Sequence, residues 1–233
     1  GEVHHGMKGV KFAGTLALFL AAFVWGMSFP AQTAASEVVG PFTFIAGKSS
    51  IACLFMLVLI GLRKATRRGA SRGDTAGAGA HGVTPAPTGF FAAHRRVIIG
   101  GIVCGLVLFA ADNCQQAGIS SYPAEAAASG RAGFLTATYV VIVALLARFM
   151  GRKLHPAVIV AVFVCLAGMY LLCVPVDQGF SGVYLGDVIM LVGALFYSLH
   201  IVAVGRFALE DALWLSAIQF FVSAALSSGC ALV

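Results

Sequence analysis

The chain has 233 residues, of which 60% are hydrophobic and 10% charged, with a net charge of +6. Water-soluble domains carry about 25% charged residues, so a soluble core is excluded as the main body of the protein. The surplus of Lys and Arg is confined to particular gaps between apolar segments, which ties it to a membrane surface and not to nucleic acid.

Read with a window of about 19 residues, the chain contains seven apolar stretches: 12–33, 42–62, 97–117, 125–147, 156–174, 187–204 and 212–233. Each is about long enough to cross a ~30 Å hydrocarbon core. Lys8 and Lys11 precede the first. That stretch is too long for the apolar part of a signal peptide and contains Trp25, Pro30 and Gln32, so it is expected to stay as a helix. The gap after it carries Glu37 and no base. The gap after the second carries Arg63, Lys64, Arg67, Arg68, Arg72, Arg95 and Arg96. Residues 64–95 are rich in Gly, Ala, Arg, Thr and Pro without hydrophobic periodicity, and a disordered cytoplasmic loop is expected there. The gap after the third stretch is free of bases, and Glu125 lies at its edge. Arg148, Arg152 and Lys153 follow the fourth, Asp177 the fifth, and Arg206 the sixth, with Asp187 at the edge of the fifth gap. Retention of bases on the cytoplasmic side explains this alternation and places the N-terminus, residues 1–11, inside. The sixth gap is the weakest witness, since Glu210 and Asp211 oppose Arg206.

An ionisable group inside a membrane span costs about 2.5–3.5 kcal/mol on insertion scales and needs a reason. Lys48 lies about two helical turns into the second stretch. One reading makes it a cavity residue that pairs with an anionic group of a substrate or with a carboxylate. The other lets it snorkel to the headgroups along its own stem. Asp112, Asn113, Gln115 and Gln116 crowd one end of the third stretch, and Glu125 and Arg131 open the fourth. A partly buried carboxyl can carry a proton, so Asp112 and Glu125 are the candidates for proton coupling. In the competing reading they cap the surface, with Arg131 paired to one of them.

Trp25, Ser28 and Gln32 share one face of the first stretch, and Tyr197 and His200 share one face of the sixth. An aromatic wall with a few polar groups suits a small-molecule cavity. His200 adds an imidazole, the side chain whose charge changes near neutral pH. Tyr139 on the fourth stretch joins the same set. Gly101-x-x-x-Gly105 and the Ser129/Gly133 pair are small-residue patterns that point to close helix packing. The six cysteines all fall in apolar stretches without a C-x-x-C pair and read as small buried hydrophobes. No phosphate-binding loop, metal-ligand cluster or nucleophile motif is present, so neither catalysis nor a cofactor is implied.

A faint internal repeat links the two ends. Residues 14–31 lie over 186–203 without a gap, setting Trp25 on Tyr197 and Ser28 on His200. After one residue of slip, Lys48 falls on Gln219. The offset spans five stretches, so the second copy enters the membrane in the opposite sense, as in many secondary transporters. If the alignment holds, the Trp25 and Tyr197 stripes face each other across the pseudo-two-fold axis.

Trp25-Gly26-Met27-Ser28-Phe29 followed by Pro41-Phe42-Thr43-Phe44 resembles the opening helix pair of the EamA-like branch of the drug/metabolite transporter superfamily. Residues 130–141 are similar to the family's fourth helix. Residues 194–200 and 216–220 are similar to the start of its second repeat. The resemblance implies an all-α, polytopic helical membrane protein of ten helices in two inverted five-helix repeats. Seven are present here: a first repeat at 12–175 and an incomplete second at 184–233, as of a chain truncated after the seventh helix. It also implies export or exchange of small metabolites, such as amino acids or drugs, across the bacterial inner membrane, with a basic residue near Lys48. The expected partners are a small-molecule substrate and the lipid bilayer, with a homodimer left open and no metal. A non-transporting helical scaffold is the alternative from another class.

Overall fold

The computed structural model describes residues 2–74, 90–123, 126–173 and 182–233, with side chains at 14–66, 94–123, 126–172 and 182–233. These residues are all-helical: α1 (Glu2–Ser36), α2 (Pro41–Asp74), α3 (Phe90–Ser120), α4 (Ala128–Ala137), α5 (Tyr139–Phe149), α6 (Pro156–Cys173), α7 (Leu185–Arg206) and α8 (Ala212–Ala231). Six spans among them are long and apolar enough to cross a membrane, α4 and α5 together forming one. The seventh expected span is α6, whose 18 residues measure roughly 27 Å at 1.5 Å per residue.

Two features differ from expectation. Helix α2 runs on to Asp74 and α3 begins at Phe90, so both ends of the expected 64–95 loop are helical. Arg, Lys and Ala are good helix formers, and a polar composition does not stop a helix already nucleated in the membrane. Residues 75–89 of that loop lie outside the described residues. The fourth stretch is also broken, at Thr138, whose hydroxyl donates to the Leu135 carbonyl while its own backbone N–H turns to the same oxygen. A threonine that bonds the preceding turn competes with the regular ladder and bends the helix.

The centre of the fold is α3, the most buried span, with α7 and α8 laid along it. Helix α2 leans on α8, α6 flanks α4 and α5, and α1 lies against α4 and α3. A small core of Phe29, Ile119, Ala132, Leu135 and Met190 joins α1, α3, α4 and α7.

Glycines make the α3 crossings close. A Cβ at Gly105 would stand 2.7 Å from Val222 Cβ and 2.9 Å from the Gln219 carbonyl oxygen, and one at Gly101 would stand 2.5 Å from Ile218 Cγ2. The G-x-x-x-G pattern therefore seats α8. The Ser129/Gly133 pair is looser, since a Cβ at Gly133 would meet Phe29 at an ordinary 3.5 Å. Gly105→Ala is expected to destabilise the protein by about 1–3 kcal/mol through overpacking against backbone. Gly61→Ala, with nothing within 4 Å, should leave stability unchanged or slightly raised. Thermal unfolding in detergent reads both, and a wild-type midpoint for Gly105→Ala would refute the close crossing.

At one end of the bundle, bases of α2 and α3 reach the α7–α8 turn. Arg63 pairs with Asp211, Arg96 Nε with Glu210 Oε1 at 2.9 Å, and Lys64 Nζ sits 5.5 Å over the Trp214 ring. Asp211 also caps α8, accepting from the backbone N–H groups of Leu213 and Trp214. The hydrogen bond from Arg63, with these backbone donors, holds its carboxyl below the usual carboxylate range despite partial desolvation. Glu210 and Asp211 are thus neutralised by neighbouring bases, which removes their opposition to Arg206.

Candidate functional site

Within the spans, Lys48 Nζ on α2 lies 3.1 Å from Asp112 Oδ2 on α3. Tyr197 on α7 donates its hydroxyl to Asp112 Oδ1 and leans on Gln115 Oε1 at 3.3 Å. Gln115 in turn donates to Thr136 Oγ1 on α4 at 3.0 Å. Four helices therefore meet in one polar chain. The two charges are unequally placed: the Asp112 side chain is 5% exposed and that of Lys48 39%. A carboxylate so deep depends on its partners, whereas the ammonium keeps a route to a polar phase.

A second polar ladder runs beside it along α1. Ser28 donates to the Trp25 carbonyl, Gln32 Nε2 donates to Ser28 Oγ, and Gln116 Nε2 donates to the Gln32 carbonyl. The Trp25 ring packs on Tyr139 with centroids 5.7 Å apart, and an open cleft of about 490 Å³ between α1 and α4 is lined by Trp25, Phe29, Gly133 and Ala137. The Gln32 Oε1, Gln116 Oε1 and Asn113 Oδ1 atoms are buried without a hydrogen-bond partner. Asn113 otherwise reaches Ser227 on α8, close to a Ser49–Ser223 hydroxyl pair between α2 and α8 in the same packing layer of small polar groups. His200 Nε2 and Gln219 Oε1 form a third pairing, 3.0 Å apart, between α7 and α8.

The expected face-to-face stripes are not formed. Helix α1 rests on α4 and α3, not on α7, so Trp25 and Tyr197 do not face one another. The Tyr139 ring meets Trp25, and the Tyr139 carbonyl accepts from Ser198 Oγ on α7. Arg131 has a partner that the sequence did not single out, Asp187. Of the two acids expected for it, Asp112 is taken by Lys48 and Tyr197. Arg131 pairs with Asp187 through Nε and Nη2, donates to the Leu172 and Gly182 carbonyls, and lies under the rings of Tyr122 and Tyr184. Tyr122 donates to Asp187 Oδ1 at 2.8 Å, and the Tyr184 backbone N–H donates to Oδ2. Burial, reinforced by the Asp187 hydrogen bond, pushes the Tyr122 phenol above its ordinary range. Glu125 lies outside the described residues.

Sequence reasoning left out Thr136 and Asp187. The signal for Asp187 was its place in the first turn of an apolar helix, where an acid reaches back to cap the preceding backbone. No grouping of three or more His, Cys, Asp or Glu able to hold a metal ion occurs among the described residues.

The chain is 26% identical over 226 residues to an uncharacterized transporter of Archaeoglobus fulgidus, an alignment that covers 94% of this chain and 59% of the relative. It thus spans about three-fifths of that relative's length. No solved structure matches the chain. The EamA-like transporter family matches residues 12–174, a range that contains Lys48, Asp112, Arg131 and Tyr139. A polytopic helical membrane protein with that match belongs to the EamA-like transporter family.

Proposed function

We propose that the protein is a secondary transporter of the cytoplasmic membrane, with its N-terminus inside, that exports small metabolites by alternating access. The observation that carries this reading is the Lys48–Asp112–Tyr197–Gln115 chain, which joins α2, α3 and α7 inside the membrane spans. A charged pair within membrane spans, its acid buried, is costly unless it is used, and it can be opened by a ligand that offers Asp112 a better partner. In this proposal Asp112 binds a proton or a cationic group in one state and Lys48 in the other. Trp25, Ser28, Gln32, Gln116 and Tyr139 form one flank of the substrate path, and His200 and Gln219 the other. Glu125 is a second candidate for the proton site. The amide and hydroxyl lining suits polar metabolites such as amino acids.

The test is metabolite efflux from cells that express the full-length protein. Lys48→Ala is expected to lower the initial rate about tenfold or more, the loss of one charge-assisted hydrogen bond of about 1.5–3 kcal/mol, and His200→Ala to lower it several-fold, the loss of a hydrogen bond to Gln219 of about 0.5–1.5 kcal/mol. Collapse of the proton gradient should lower it further. Efflux equal to wild type at equal expression would remove both residues from the path and favour a scaffold. Indifference to the proton gradient would remove Asp112 and Glu125 as coupling groups.

A further inference from the structure

At the end of the bundle opposite the basic cluster, α1, α3 and the start of α4 enclose a pocket of about 420 Å³. Its polar lining is Thr33, Ser36, Glu37, Ser120, Tyr122 and Ser129, with apolar cover from Ile119, Pro123 and alanines. What matters is where the protons of these groups point. Thr33 Oγ1 donates to the Phe29 carbonyl, Ser36 Oγ to the Thr33 carbonyl, and Ser120 Oγ to the Gln116 carbonyl. The Tyr122 hydroxyl is spent on Asp187. Three hydroxyl oxygens are thereby left to the pocket as acceptors with their donors used, and Glu37 adds an exposed carboxylate. No Lys or Arg lines the pocket among the described residues.

One turn deeper on the same helices the pattern continues. Gln32 precedes Ser36 by four residues and Gln116 precedes Ser120 by four. Both are at least nine-tenths buried, and each has its amide nitrogen engaged while its Oε1 has no partner. A buried acceptor without a donor costs about 1–3 kcal/mol, and these two lie behind the pocket without forming part of its lining. The described lining thus sets hydroxyl and carboxylate acceptors on the α1 and α3 side, facing the Ser129 hydroxyl and the uncapped first turn of α4.

We propose that this pocket binds an organic ammonium with a small apolar body. The ammonium has three N–H donors and a positive charge for the serine, threonine and glutamate oxygens. The volume is within the ordinary range for small-molecule sites and far exceeds a bare metal ion. The proposal stands on the pocket's own donors and acceptors and does not rest on transport, so a protein that fails every efflux test can still bind here.

The experiment uses the purified full-length protein in detergent, with Ser36→Cys as a reporter. Labelling by a neutral maleimide is followed by the mass of the peptide that carries the new cysteine. Butylammonium chloride near saturation should slow labelling about threefold or more, as two-thirds occupancy gives by mass action. Sodium butyrate and sodium chloride at the same ionic strength should not. Glu37→Gln in the same background should abolish the protection. Equal protection by butyrate would reduce the site to an apolar cleft, and equal protection by sodium chloride would make it a small-cation site. No protection by butylammonium, or protection that survives Glu37→Gln, also overturns the proposal. Ser129→Cys, on the opposite wall, repeats the measurement where Ser36→Cys disturbs the fold.

Discussion

Replacement of Arg131 with alanine is expected to destabilise the protein by about 3–5 kcal/mol, the cost of removing one partner of a buried ion pair. The side chains of Arg131 and Asp187 are 8% and 3% exposed, so neither charge can turn to water when the other is lost. Without Arg131 the Asp187 carboxylate keeps only Tyr122 and the Tyr184 backbone N–H, and the Leu172 and Gly182 carbonyls lose a donor. The pin joins α4 to α7 and to the chain beyond α6, so its loss loosens α7 from α4. Arg131→Lys should recover less than half of the loss, because an ammonium cannot reproduce the planar fork that meets a carboxylate and two carbonyls together. Arg131→Met with Asp187→Leu should recover most of it, less about 1 kcal/mol for the helix cap that Asp187 gives α7. Thermal unfolding in detergent should show Arg131→Ala lower by on the order of 10 °C. A midpoint within a degree or two of wild type would mean that the pair is solvated and the pin does not exist.

The pin also marks where sequence reading stopped. The apolar stretches were enough to give the order of the spans, because hydropathy is a local property. Partner choice is not local. Arg131 and Asp187 are 56 positions apart, and the partner acid sat at the edge of a stretch, where an expected role as a loop charge hid it. Lys48 and Asp112 were both legible as costly intramembrane charges, yet only the crossing of α2 over α3 brings their atoms to 3.1 Å. The Trp25 and Tyr197 stripes were legible as faces of two helices. Their failure to meet comes from α1 settling on α4, a choice made by the packing of Phe29 into a core with Ala132 and Leu135. The break at Thr138 was invisible for a different reason: hydropathy sees that a threonine is tolerated in the span, not which carbonyl its hydroxyl takes.

The second large effect belongs to Asp112, and it should separate function from stability. Asp112→Asn removes a charge whose own burial is costly and leaves Lys48, at 39% exposure, free to direct its ammonium to a polar phase. The amide can still accept from Tyr197. Unfolding should therefore move little, while efflux falls by about a hundredfold, because a neutral amide can neither take up a proton nor hold a cation. Lys48→Met inverts the pattern. It leaves a carboxylate 5% exposed with Tyr197 as its remaining donor, and lowers the unfolding midpoint by several degrees. Lys48→Met with Asp112→Asn should regain the stability and none of the efflux. Such a crossed outcome cannot come from a pair that only packs helices together, for which transport and stability fall and recover in step. If Asp112→Asn transports normally, the α2–α3 pair is a structural contact, and the energy-coupling site must be sought elsewhere, with Glu125 next in line.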